Sequence, residues 1–220
     1  MKYSEQLYRQ VCSIWQSYET HPFLLGLFDG TLPIEKFRFY MIQDYLYLLD
    51  YAKVFALGIA KADSIEEMQF FSQNVHQILH GEMEIHRSYM QRLGISDQDA
   101  AQTSIHPANY SYTAYMLKEA YQGGVPEILA AILACSWSYA DIALHLSERY
   151  PQAISHPFFG EWVAGYASQS YQATNQSLID RLDIAAAHLS KTTLEHLSQI
   201  FQACSRYELG FWDMAWNEQA

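Results

Sequence analysis

Apolar residues recur every three to four positions along most of the chain, which is the spacing of amphipathic helices. No run alternates apolar and polar residues for long enough to predict a strand. The pattern predicts helices at about 4–20, 34–61, 64–92, 107–122, 125–149, 157–188 and 191–218. Long helices with short connections predict one all-α domain over residues 1–220, built as a bundle of antiparallel helices.

The predicted helix ends carry their own signals. Proline occurs only six times, and none lies between positions 34 and 106, so long helices can run there without a break. Ser64, with a glutamate three residues on, is typical of an N-terminal cap. Gly94 and the pair Gly123 and Gly124 predict left-handed caps at helix C-termini.

Two carboxylates occupy positions where the helical pattern calls for apolar residues. Asp44 lies among aromatic residues in "FRFYMIQDYLYLLDY", one turn before Tyr47 and Leu48. Glu208 has Phe211 and Trp212 three and four residues after it. A carboxylate on an apolar stripe either pairs with a cation from another helix or keeps a raised pKa suited to acid–base catalysis. The pattern leaves both readings open.

The segment "ILACSWSYADIAL" places Cys135 in a buried helix, one turn before Tyr139. Cys12, Cys135 and Cys204 are far apart and form no CxxC pair, which argues against disulfides and a structural zinc site. A buried cysteine is usually inert packing, and Tyr139 alone is usually a core aromatic. Asp141 lies on another face of the helix and is interpreted as a helix or interface residue.

That interpretation changes because one helical chain holds a thiol, two carboxylates on apolar helix faces and 17 tyrosines. Aromatic residues make up 15% of the chain, more than packing needs. Such a composition suits a pocket that recognises a flat ring by stacking and by phenol hydrogen bonds.

The segment "HQILHGEMEIH" is the strongest signal for a metal site. His76, His80 and Glu84 share one helix face, and Glu82 and His86 form a second pair one turn apart. The chain contains neither the Glu-x-x-His repeat of di-iron bundles nor HExxH. We therefore predict no metal, with most of these residues solvated and Glu82 with His86 as a buried hydrogen-bonding pair.

The formal charge of −11, with no cluster of Lys or Arg, disfavours nucleic acid and anionic membranes as partners. The longest apolar run, 128–135, is far shorter than the roughly 20 residues of a membrane span. GxGxxG, GxxxxGK[ST] and GxSxG motifs are absent. A soluble, cytoplasmic protein in a reducing compartment is expected.

The chain resembles the TenA family, also called thiaminase II or aminopyrimidine aminohydrolase, in its subgroup with an active-site cysteine. The resemblance spans nearly the full length and rests on the order and spacing of several segments. These are "HPFLLGLFDGTL", "YMIQDYLYLLDYAKVFALGIAKA", "EMEIHRSY", "YTAYML", "ACSWSYADIAL" and "RYELGFWDMAW". It implies an all-helical fold similar to haem oxygenase and assembly as a homotetramer.

The resemblance also implies roles for individual residues. Cys135 matches the nucleophile, Glu208 the catalytic acid/base, and Asp44 the carboxylate that binds the aminopyrimidine edge. The remaining matched positions line the pocket, and they are Tyr47, Tyr112, Tyr139, Tyr166 and Phe211, the last of which stacks on the ring. The segment "EWVAGYASQSY" offers Tyr171 as an alternative to Tyr166.

The implied activity is cofactor-free hydrolysis of 4-amino-5-aminomethyl-2-methylpyrimidine, and of thiamin less well, for thiamin salvage. A covalent adduct of the cysteine with the ring splits a difficult displacement into easier steps. One alternative is a metal- or cofactor-dependent oxidoreductase of the haem-oxygenase-like fold, using His76, His80, Glu84 or His86. Another is a non-catalytic protein that binds a pyrimidine or regulates transcription.

Overall fold

The computed structural model describes residues 1–217, which form helices joined by short loops, with no strand in that range. The helices are α1 (Tyr3–Glu19), α2 (Pro22–Asp29), α3 (Ile34–Lys61), α4 (Ile65–Gln77), α5 (Met83–Arg92), α6 (Asp97–Gln102), α7 (Pro107–Gln122), α8 (Val125–Arg149), α9 (Gly160–Ala167), α10 (Gln169–Ala186) and α11 (Lys191–Asn217). A π-helical turn, Ile78–Glu82, joins α4 to α5, and a 3₁₀ turn, Ala153–Ser155, precedes α9. The predicted all-α class is confirmed.

Helix α8 forms the centre of the bundle and packs against α3, α7, α9, α10 and α11. Every residue from Ile128 to Ser136 is buried, so this helix is apolar on all sides, as a central helix must be. By length and composition α8 could span a membrane, but 78% of its most apolar window is buried inside the protein. Burial within the bundle accounts for its apolar sequence.

The observed bounds of α1, α3, α7, α8 and α11 agree with the predicted ones to within a residue. Position 218, the predicted end of the last helix, lies outside the described residues. The Ser64 hydroxyl accepts a hydrogen bond from the Glu67 N–H at 3.1 Å, and Gly94 has a φ of 67°, so both predicted caps are confirmed. Gly123 and Gly124 have φ of −94° and −109°, so the prediction of left-handed caps there is wrong.

Two of the predicted helices are not regular. The helix predicted over 64–92 contains the π turn, in which one extra residue rotates everything after it by about 100°. The helix predicted over 157–188 is broken at Ser168, which has extended backbone and caps α10 by accepting from the Tyr171 N–H at 3.1 Å. Tyr166 therefore lies on α9, before the break, and Tyr171 lies on α10, after it.

Candidate active site

The eight residues singled out in the sequence come from five helices and are all buried. Helix α3 supplies Asp44 and Tyr47, α7 supplies Tyr112, α8 supplies Cys135 and Tyr139, α9 supplies Tyr166, and α11 supplies Glu208 and Phe211. They lie together because α3, α7, α9 and α11 all pack on α8.

Aromatic contacts define the shape of this cluster. The Tyr47 ring lies 5.3 Å from that of Tyr112 and 5.8 Å from that of Phe211, centroid to centroid. The rings of Tyr139 and Tyr166 are 4.8 Å apart. These distances are those of packed aromatic pairs, so the rings wall off the site from bulk water.

The Cys135 thiol is protonated at neutral pH. Burial and the charge of Glu208 raise the pKa of the thiol well above its usual range, and the neighbouring Tyr47 phenol only partly offsets this. A thiol in this setting is a poor nucleophile until its proton is removed. Any attack by Cys135 must therefore be coupled to proton transfer within the site.

Glu208 is suited to hold a proton near neutral pH. Burial raises its pKa to about 8; the Tyr112 and Tyr139 phenols oppose the rise, whereas the charge of Asp44 adds to it. Glu208 Oε2 and the Tyr112 hydroxyl are both buried, and although the phenol lies near enough to lower the pKa of Glu208, neither atom has a partner at hydrogen-bond geometry within residues 1–217. Buried polar atoms without partners are costly, so their presence together indicates a site that binds a polar ligand.

Asp44 is held by a histidine that the sequence did not connect with it. His86 Nε2 lies 2.7 Å from Asp44 Oδ2, and His86 Nδ1 lies 2.9 Å from the backbone oxygen of Glu82. Burial alone would lower the pKa of His86, but the hydrogen bond and charge of Asp44 and the charge of Glu82 reverse this and raise it. Because both ring nitrogens face acceptors, the arrangement is an imidazolium–carboxylate pair.

The predicted pairing of Glu82 with His86 therefore holds only through the Glu82 backbone. The Glu82 carboxylate is bound elsewhere, since Oε1 accepts a hydrogen bond from the Tyr166 hydroxyl at 2.8 Å. Tyr171, the alternative to Tyr166, lies one ring further out, 5.0 Å from Tyr166, and its hydroxyl reaches the Ser136 carbonyl at 3.4 Å. Tyr166 is thus the one that contacts Tyr139.

The match to known proteins covers almost the whole chain. The model of the TENA/THI-4/PQQC family matches residues 8–218. The chain belongs to this family. A relative from Helicobacter pylori named aminopyrimidine aminohydrolase is 46% identical over 220 residues, covering 99% of this chain and all of the relative.

Solved structures show the same architecture. A TenA homologue from P. horikoshii superposes with a TM-score of 0.89 at 30% identity, covering 99% of both chains. A protein from Shewanella denitrificans, described as having a heme oxygenase-like fold, superposes with a TM-score of 0.76 at 16% identity, covering 97% of this chain and 91% of the other. The predicted haem-oxygenase-like fold is confirmed.

The possible metal ligands of "HQILHGEMEIH" do not converge in this family member. His76 and His80 are exposed and stack on each other at 4.6 Å, and the exposed Glu84 pairs with Arg87 at 2.7 Å. His86 points inward to Asp44 instead. The four side chains predicted for the oxidoreductase alternative therefore do not form one ligand set.

In the described part of the chain, the side chains close enough to share a metal ion are Glu19, Asp141 and His145. His145 Nδ1 lies 3.0 Å from Glu19 Oε1 and 3.3 Å from Asp141 Oδ2, so the imidazole lies between the two carboxylates. The predicted role of Asp141 at a helix surface agrees with this position.

Sequence reasoning missed a polar chain behind the aromatic wall. The Tyr40 hydroxyl lies 3.3 Å from that of Tyr139 and accepts a hydrogen bond from Trp162 Nε1 at 3.2 Å. Trp212, whose buried Nε1 has no hydrogen-bond partner in residues 1–217, packs 5.2 Å from Tyr139. The one signal for Tyr40 was its position a turn before Asp44, which is equally typical of core packing.

Proposed function

We propose that the chain is an aminopyrimidine aminohydrolase that converts 4-amino-5-aminomethyl-2-methylpyrimidine to the 5-hydroxymethyl compound for thiamin salvage. The full-length relative of that name, at 46% identity, supports the activity. The observation that carries the proposal is the pair of unpartnered polar atoms, Glu208 Oε2 and the Tyr112 hydroxyl, in an aromatic cage with Asp44 and Cys135. A flat ring with polar edges would satisfy such a site.

Asp44 is proposed to bind the ring nitrogen and the 4-amino group. His86 engages Oδ2 at 2.7 Å and holds the carboxylate in one orientation. Asp44, held in this way, is proposed to accept hydrogen bonds from the substrate edge. Tyr47, Phe211 and the other rings stack on the substrate and exclude water.

The chemistry is proposed to run through a covalent adduct of Cys135. The sulfur adds to a ring carbon while its proton passes to a ring nitrogen. A ring electron pair then expels the amine from the 5-methylene, and the C–N bond breaks as Glu208 donates the proton that leaves with it. Water adds to the exocyclic methylene and returns a proton to Glu208. The ring nitrogen gives its proton back as sulfur departs, so R–CH₂–NH₂ and water become R–CH₂–OH and ammonia.

Assembly and location are part of the same proposal. We propose a single domain over residues 1–220 that forms a homotetramer in the cytoplasm and uses no cofactor. Cys12, Cys135 and Cys204 are all free thiols, as expected in a reducing compartment. Light scattering of the purified chain, whose protomer is 25.4 kDa, tests the tetramer directly and would contradict it by giving the mass of a monomer or dimer.

Ammonia release tests the activity. The purified chain is expected to release one ammonia per aminomethyl pyrimidine consumed, with the hydroxymethyl pyrimidine as the other product. Thiamin is expected to be cleaved more slowly in the same assay. Binding of the aminomethyl pyrimidine without ammonia release would contradict the hydrolase and favour a non-catalytic binding protein. Stoichiometric iron with redox turnover would favour the oxidoreductase instead.

A further inference from the structure

A cavity of about 380 Å³ lies beside the candidate active site, between the π turn and helices α3, α4, α5, α8, α9 and α10. Its rim carries exposed residues, among them Gln77, Gly81 and Ser170, so it opens to solvent. The volume is that of a small-molecule site. The mechanism above gives this cavity no role.

The cavity shares a wall with the site. Tyr166 lines it and contacts Tyr139 on its inner side. His86 also lines it and holds Asp44, and Ser136, the residue after Cys135, lines it from α8. The cavity and the candidate site are therefore neighbours, with Tyr166 and His86 between them.

Glu82 is the acidic group at the inner wall. It closes the π turn, and without that turn's extra residue its side chain would point about 100° away around the helix. Tyr166 donates to Oε1 at 2.8 Å, which leaves Oε2 available to a ligand. Desolvation raises the pKa of Glu82, and the charge of His86 opposes the rise.

The lining is also poor in positive charge. Neither Lys nor Arg lines the cavity in the described part of the chain. The acidic rim residue Glu161 is paired with Arg92 at 2.5 Å, and the Arg92 guanidinium lies 4.1 Å from the centre of the Tyr89 ring. Both nitrogens of His86 are already occupied. A phosphate entering this space would meet carboxylates and find no free cation.

We propose that this cavity is the leaving-group subsite, in which Glu82 recognises leaving groups that carry a positive charge, such as a cationic heteroaromatic ring, and excludes phosphorylated ones. The proposal rests on the proposed function, because it takes the pyrimidine to lie between Asp44 and Cys135. Ammonia is far too small to fill the cavity. Large cationic leaving groups are expected to depend on Glu82 far more than ammonia does.

Binding to the Cys135→Ser variant tests the subsite without turnover. Thiamin and thiamin monophosphate are titrated by calorimetry, since they share the pyrimidine and the cationic ring and differ only in the phosphate. Thiamin is expected to bind at least about tenfold more tightly. Adding Glu82→Gln to the Cys135→Ser variant is expected to weaken thiamin binding about tenfold. The difference in affinity between thiamin and thiamin monophosphate is expected to become smaller. The matched control Glu84→Gln, at an exposed glutamate two residues along the chain, is expected to change neither affinity.

Equal affinity for thiamin and its monophosphate, or no measurable binding of thiamin, would overturn the subsite. The subsite would also be overturned if Glu82→Gln weakened the binding of thiamin and of the aminomethyl pyrimidine by the same factor, since a merely structural role of Glu82 predicts that result. Ammonia release by the wild-type chain separates this failure from that of the proposed function. Release of ammonia together with any of these results rejects the subsite alone, whereas no release rejects the hydrolase.

Discussion

Cys135→Ser is expected to lose nearly all ammonia release, by at least about 10³-fold, with the fold intact. Serine has almost the same size as cysteine, so packing at this buried position changes little. The hydroxyl is a far weaker nucleophile than a thiol and gives up its proton less readily. Initial rates on the aminomethyl pyrimidine, with urea unfolding as the measure of the fold, check this.

Two other cysteines provide the controls for Cys135→Ser. Cys12→Ser, at a partly exposed position on α1, is expected to keep the wild-type rate. Cys204→Ser also buries a hydroxyl in place of a thiol, so its free energy of unfolding measures what that replacement costs in stability. A wild-type rate for Cys135→Ser would contradict the covalent mechanism. A large loss of stability in Cys135→Ser but not in Cys204→Ser would show that the rate loss reflects unfolding.

The longest helices were predictable because neither proline nor a strand pattern interrupts their interiors. In α3 nothing competes with the 3.6-residue pattern, and α8, although apolar on all sides, is too long for a buried strand; both have the predicted bounds. The π turn at Ile78–Glu82 could not be predicted, since one inserted residue leaves the composition helical and only changes the direction of the side chains. Ser168 was a visible cap signal, but the apolar positions on either side fit one continuous helix.

Helix α2 was missed for a different reason. It has only eight residues, too few to establish a period. Its N-cap is His21, whose Nδ1 accepts from the Phe23 N–H at 3.2 Å, and histidine is not among the usual capping residues. Pro22 at the first helical position was the remaining signal.

The two carboxylates of the candidate site stand out in the sequence, and the thiol does not. Asp44 and Glu208 conflict with the apolar stripes on which they lie, and such conflicts concentrate at functional sites. Cys135 and Cys204 are both buried thiols on apolar faces, so periodicity does not distinguish them. Only the resemblance to a family favoured Cys135. The pairing of Asp44 with His86 joins residues 42 positions apart, which no local pattern can show.

Glu208→Gln is expected to reduce ammonia release by about 10²- to 10⁴-fold, because glutamine can neither donate nor accept the proton that Glu208 exchanges. In the wild-type chain the acid form of Glu208 disappears as pH rises through about 8, so kcat/KM is expected to fall above that pH. Rates measured from pH 6 to pH 10 check both statements. A Glu208→Gln variant with the wild-type rate and pH profile would contradict the assignment of Glu208 as the acid.

The same substitution is expected to change the pH dependence of stability. Folding raises the pKa of Glu208 from 4.5 to about 8, so between these values the folded state holds a proton that the unfolded state has lost. The contribution of Glu208 to the free energy of unfolding is therefore fully present below about pH 4.5 and is lost as pH rises through about 8. Glutamine stays neutral, so Glu208→Gln should gain about 5 kcal/mol in unfolding free energy relative to wild type between pH 4.5 and pH 9. Urea unfolding at both pH values measures this, with the exposed Glu84→Gln as the matched control; a constant difference across that range would show that Glu208 is already ionised in the folded protein.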